Sequence, residues 1–159
     1  MPRVTHVKKA RQDNPVCKKG ESYYWWKFRY GGKRFSLTYP TRSQLTQSNF
    51  LGQLYDLQDE QHFSECESET DFETAVDSLV NEVQSLADEC QESRDNMPEQ
   101  LQDANAGELL GERVEALEQW ISELESVDVS IDEDLDEDEK ESRIEEVREE
   151  LESIECDAY

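Results

Sequence analysis

Between Tyr23 and Tyr39 the chain reads YYWWKFRYGGKRFSLTY, with aromatic rings and basic side chains set around a Gly-Gly pair. Rings and cations on one flat surface suit one kind of chemistry. The cations hold a phosphate backbone, and a ring stacks an unpaired base. The candidates are Tyr23, Trp25, Lys27, Arg29 and Arg34, with Lys8, Lys9 and Arg11 as a flexible basic arm ahead of them. The setting is unexpected, because the 159-residue chain carries a net charge of −24.

Other chemistries find little support. His62 and Cys66 are four apart, half of a zinc site on a helix face, but the other half would have to come from Cys17, Cys90 or His6, at no recognised spacing. No Ser-His-Asp or Cys-His set and no G-x-x-x-x-G-K-[ST] loop stands out, and carboxylates are too numerous to be diagnostic. A non-enzymatic binding protein with no cofactor and no metal is expected. The scattered Cys17, Cys66, Cys90 and Cys156 read as reduced thiols. No apolar h-region lies within the first residues, and no apolar run approaches the ~18–20 residues of a membrane span, so a cytoplasmic protein is expected.

Positioning those rings and cations requires a sheet. Gly-Gly between β-branched and aromatic residues signals a two-residue hairpin loop. That register pairs Tyr30 with Lys33, Phe28 with Phe35, Trp26 with Leu37 and Tyr24 with Tyr39. One face is then apolar, and the other holds Tyr23, Trp25, Lys27, Arg29, Arg34, Ser36 and Thr38. On it Arg29 opposes Arg34, and opposed like charges call for an anion: a phosphate, or a carboxylate of this or another protein. After Pro40 a helix is expected from Ser43 or Ser48, with Leu45, Phe50, Leu54 and Leu57 covering Trp26, Phe28 and Phe35.

Residues 20–60, through W-x-F-R-x-G-G-K-R and the order strand, Gly turn, basic strand, helix, resemble the small arm-binding N-terminal module of tyrosine integrases, itself similar to a plant-type three-stranded DNA-binding domain. That resemblance implies DNA contact through the sheet. The KKAR and YYWWKFR–GGKR blocks are similar to those of uncharacterised small phage-encoded proteins, which implies a phage origin and a host-cytoplasm location.

Charge divides the chain sharply. Residues 1–47 hold eleven Lys/Arg against two acidic residues, and the remainder holds five against 38. From residue 70 the pattern becomes helical. A capping box at Thr70–Glu73 opens a seam of Phe72, Val76, Leu79, Val83, Leu86 and Cys90. A second helix, about 108–127, carries Leu110, Val114, Leu117, Ile121 and Leu124, with Trp120 beside the stripe. A third, about 137–156, carries Ile144, Val147, Leu151 and Ile154. The acidic run Asp132 to Glu139 lacks the Gly and Glu positions of an EF-hand and reads as a solvated charge run.

The reading is α+β, mostly α: a basic β-hairpin and helix module at 1–63, then an acidic antiparallel helical bundle or coiled coil at 64–159, with further chains joining through any exposed seam. Two functions follow. In one, the hairpin binds nucleic acid while the acidic helices oligomerise or modulate. In the other, the helices act like a DNA mimic in host takeover or anti-defence. They would block a basic DNA-handling host protein through Asp132, Asp134, Asp136, Glu137, Asp138 and Glu139.

Overall fold

The computed structural model describes residues 1–132 and 134–158. It is α+β and mostly helical, with one three-stranded antiparallel sheet in the order β1-β2-β3. The strands are β1 (Thr5–Val7), β2 (Tyr23–Lys27) and β3 (Lys33–Ser36). A 3-10 turn, Ser43–Leu45, precedes α1 (Asn49–Asp59), α2 (Glu69–Asp95), the one-turn α3 (Glu99–Gln102), α4 (Asn105–Ser126) and α5 (Glu137–Glu152). The chain divides into two compact units, Met1–Asp56 and Leu57–Tyr159, so the division falls inside α1. No helix among the described residues is long and apolar enough to cross a membrane.

In the first unit the sheet gains a strand that the sequence did not announce. Thr5 pairs with Trp25, His6 with Tyr24 and Val7 with Tyr23. Lys8, Lys9 and Arg11, expected as a flexible arm, lie in the β1–β2 loop. Ala10 N–H donates to the Glu21 carbonyl, Gly20 N–H donates to the Ala10 carbonyl, and Asn14 Oδ1 accepts from Val16 and Cys17 N–H. Gly20, at φ 101°, occupies the left-handed region that an L side chain resists.

The hairpin register also departs from the two-residue loop. Tyr24 pairs with Ser36, Trp25 with Phe35, Trp26 with Arg34 and Lys27 with Lys33, leaving a five-residue loop, 28–32. A type I′ turn needs φ > 0 at both central residues. Gly32 has no positive φ, and Gly31, at 158°, is close to fully extended. Two long-range contacts outweigh the Gly-Gly preference. Phe28 turns inward to share a cluster with Trp26 and Leu45, flanked by Val4, and Gln47 Nε2 donates to the Tyr30 carbonyl at 2.9 Å. The shift is by an odd number of residues, so it exchanges the two faces of β3 relative to β2. Phe35 leaves the core face for the other, while Leu37 and Tyr39 stay exposed.

The expected helix after Pro40 forms in two pieces. Thr46 is extended (φ −113°, ψ 159°) and separates the 3-10 turn from α1. Ser48 caps α1, its hydroxyl accepting from Leu51 N–H at 3.3 Å. The cover on Trp26 comes from Leu45 of the 3-10 turn, where the Gln44 carbonyl also accepts from the Trp26 indole at 3.2 Å.

In the second unit all six seam residues of α2 are buried. Its cap is Ser68, two residues before the expected Thr70. The Ser68 hydroxyl accepts from Asp71 N–H and donates to the Asp71 carboxylate at 2.7 Å. α4 buries Gly107, Leu117, Trp120 and Leu124, so Trp120 rather than Ile121 faces inward. Arg94 lies against Gly111, Leu79 and Trp120 line one cavity, and Ile131 N–H donates to Glu69 near the start of α2. α2 and α4 therefore run antiparallel. α5 buries Val147 and Leu151 and stops at Glu152, before the expected 156. Arg148 fastens α5 by donating to the Phe63 and Cys66 carbonyls at 3.1 and 3.0 Å.

Candidate nucleic-acid interface

The pairings place alternate residues of the three strands on two faces. Trp26 is the buried centre of one. The other collects Thr5 and Val7 from β1, Tyr23, Trp25 and Lys27 from β2, and Lys33 and Phe35 from β3. On this second face Tyr23, Trp25 and Phe35 are half-buried, while Lys27 and Lys33 are exposed. The Lys33 ammonium lies 4.6 Å from the Trp25 ring centroid, and the Tyr23 and Phe35 rings are 6.0 Å apart.

Of the residues expected at the site, Tyr23, Trp25 and Lys27 share this face. Lys9 and Arg11 join them at one end, lining with Tyr23, Val7 and Asn14 a depression of about 490 Å³. Lys8 is exposed at the start of the same loop. Arg29 and Arg34 do not belong to it, and they do not oppose one another. Arg29 sits in the hairpin loop with its guanidinium 5.4 Å from the Tyr30 ring; Arg34 pairs with Trp26 and lies 5.5 Å from the Phe28 ring. The cause is the odd register shift. Lys33 and Phe35, which the sequence reading left out, take their place. The contacts that set the observed register, Phe28 to Leu45 and Gln47 to the Tyr30 carbonyl, are distant in sequence, and the local pattern carries no signal for them.

The like-charge opposition persists with different partners: Lys27 directly faces Lys33. The first unit offers few carboxylates to relieve it. Glu21 accepts from Lys18 N–H and Asp13 from Lys19 N–H, both at 2.7 Å, so each carboxylate serves the backbone of its own loop. Within Met1–Asp56, none of Lys8, Lys9, Arg11, Lys27, Arg29, Lys33 and Arg34 makes an ion pair among the described residues. The sheet thus presents cations flanking three rings, an arrangement able to hold a polyanion and stack flat groups.

The acidic residues proposed to meet a partner have local duties. Asp136 and Glu139 form a capping box at the start of α5. The Asp136 carboxylate accepts from Glu139 N–H at 2.9 Å, and the Glu139 carboxylate accepts from Asp136 N–H at 3.4 Å. Glu137 and Asp138 fill the same first turn, where negative charge complements the helix dipole. Asp132 accepts from Asp134 N–H at 3.0 Å. Glu133, inside the run, lies outside the described residues. Arg143 holds the connector to α5, donating to the Asp128 and Ser130 carbonyls and pairing with Glu146. Hydrogen bonds from Ser130, with Arg143 nearby, hold the Asp128 carboxyl below its ordinary range.

The His62–Cys66 pair is engaged differently from a metal half-site. His62 Nε2 donates to the Leu57 carbonyl at 2.9 Å, and burial pushes the Cys66 thiol up. No group of three or more His, Cys, Asp or Glu suited to a metal ion occurs among the described residues. No family model, curated protein or solved structure matches this chain.

Proposed function

We propose that the protein is a non-enzymatic nucleic-acid-binding protein. It would bind through the sheet face formed by Tyr23, Trp25, Lys27, Lys33 and Phe35, extended by Lys9 and Arg11. The observation that carries the reading is the opposed pair Lys27–Lys33 beside three half-exposed rings, in a unit whose Asp13 and Glu21 are bound to its own backbone. Phosphates would relieve the opposed cations, and unpaired bases would stack on the rings. The order of three antiparallel strands followed by a helix is also what the integrase-module resemblance implies. The acidic helices then act as a modulating unit, in the cytoplasm of the cell in which the protein is made.

Binding of labelled single-stranded and duplex DNA by the full chain, titrated with salt, tests this. Four phosphate contacts, from Lys9, Arg11, Lys27 and Lys33, set the steepest log–log slope expected, about −3 for a single strand and about −4 for a duplex. The paired substitution Lys27→Glu and Lys33→Glu should abolish binding with the fold retained. Absence of binding at about 50 mM salt, where such contacts are strongest, would end the proposal.

A further inference from the structure

The helical unit contains a cavity of about 220 Å³ that the sheet face does not use. Phe63, Leu79, Leu124 and Leu151 supply apolar wall, and Gln58 and Trp120 also line it. Gln58 Nε2 donates to the Cys156 carbonyl at 2.9 Å, which fixes the amide's orientation, since the reverse would set two acceptor oxygens together. Gln58 Oε1 and Trp120 Nε1 are then buried with no hydrogen-bond partner among the described residues. Trp120 is only 3% exposed, so bulk solvent does not serve its N–H. An unmade hydrogen bond on a buried group is costly, and here the two residues that carry such groups, of opposite kind, line one cavity.

Those walls define a guest. It must offer an acceptor to the indole N–H and a donor to the amide oxygen, and a hydroxyl group can do both. Its body must be apolar to suit the leucines and Phe63. Glu60, Glu152 and Glu155 are exposed around the same cavity and no Lys or Arg lines it, which favours a cation. The volume lies below the ~300–1,000 Å³ of drug-sized pockets and suits a guest of about ten heavy atoms. We propose that this cavity binds a small hydroxylated organic amine. The site is independent of nucleic-acid binding.

Tyramine is a suitable probe, added to the full chain while the Trp120 indole N–H resonance is followed by NMR. The expected result is a saturable shift of that resonance. Phenethylamine, which lacks the hydroxyl, should bind about tenfold more weakly, the equivalent of one net hydrogen bond. The anion 4-hydroxyphenylacetate should not bind. Trp120→Phe, followed through the ligand's own NMR resonances because the indole reporter is gone, should weaken tyramine about tenfold while leaving phenethylamine unchanged. Should that variant not fold, Glu152→Gln with Glu155→Gln, both at exposed positions, should weaken tyramine about threefold and leave phenol unchanged. No saturable shift up to about 10 mM tyramine would mean that water alone occupies the cavity, and would overturn the proposal. Equal binding of tyramine and 4-hydroxyphenylacetate would overturn the assignment to amines.

Discussion

Lys33 and Arg34 are adjacent, both cationic and both exposed, yet the strand pairing sends them to opposite faces. Lys33 opposes Lys27 and covers Trp25; Arg34 opposes Trp26 and covers Phe28. Charge reversal at each should therefore have different consequences. If the sheet face binds nucleic acid as proposed, Lys33→Glu would remove one phosphate contact and set a carboxylate in its place, so the salt slope should fall by about one unit and affinity by tenfold or more, roughly 1.4 kcal/mol. The same change turns an opposed like-charge pair into an opposite-charge one, a gain of about 0.2–1 kcal/mol, and forfeits the Lys33 cation–π contact with Trp25, a loss of about 0.5–1 kcal/mol, so net stability should change little. Binding thus falls while stability stays nearly constant, which excludes unfolding as the cause of lost binding. Arg34→Glu should forfeit only its cation–π contact with Phe28, about 0.5–1 kcal/mol of stability, and change affinity by less than about threefold. Fluorescence anisotropy of a short labelled strand, paired with urea unfolding, measures both quantities. If Arg34→Glu weakens binding as much as Lys33→Glu, the binding face has been misassigned.

Gly107→Ala should destabilise by about 1–3 kcal/mol in urea, because an added Cβ would stand 2.1 Å from the Gln102 carbonyl oxygen. Arg148→Met should cost about 2–4 kcal/mol by leaving the Phe63 and Cys66 carbonyls without their cationic donor, and Arg148→Lys should recover less than half of that. Asp136→Ala removes the α5 cap and should cost about 1 kcal/mol by the same assay. The Asp71 carboxyl is held below its ordinary 3.8, first by the Ser68 hydroxyl and then by the Glu67 amide. A lowered folded value stabilises the protein above the ordinary carboxylate range, and that contribution is lost as pH falls through the folded value. Ser68→Ala should move the Asp71 NMR titration upward and flatten the acid limb of the stability profile below about pH 4.

The helical unit was readable because its signal is local and periodic. Phe72, Val76, Leu79, Val83, Leu86 and Cys90 repeat at helical spacing, and every one is buried. The errors there are single residues: Ser68 displaces Thr70 as cap, and Trp120 displaces Ile121 in the buried stripe. The sheet face was harder to read because it depends on register, and register depends on contacts distant in sequence. Phe28 reaches Leu45, and Gln47 reaches the Tyr30 carbonyl; neither contact is visible in a period-two pattern. β1 is only three residues long, and its hydrogen bonds are all to β2, so nothing in Thr5–Val7 announces it. The basic and aromatic character of the face survived the register error, because β2 carries Tyr23, Trp25 and Lys27 in either register.

The two charge populations would act on a nucleic acid over different distances. Contacts from Lys27 or Lys33 to phosphate operate at hydrogen-bond range, where salt acts mainly through counterion release. Repulsion from the 37 carboxylates of residues 57–159 acts through solvent, and is screened beyond ~8 Å at physiological ionic strength and beyond ~30 Å at 0.01 M. At low salt that repulsion would therefore oppose binding and would fade as salt rises, while the phosphate contacts would weaken along the same axis. The sum is a salt dependence shallower than the number of basic contacts alone would give. On the proposed function, an acidic unit on the same chain would thereby limit the basic face to strands that make close contact, suppressing the loose long-range attraction that a free basic fragment would show.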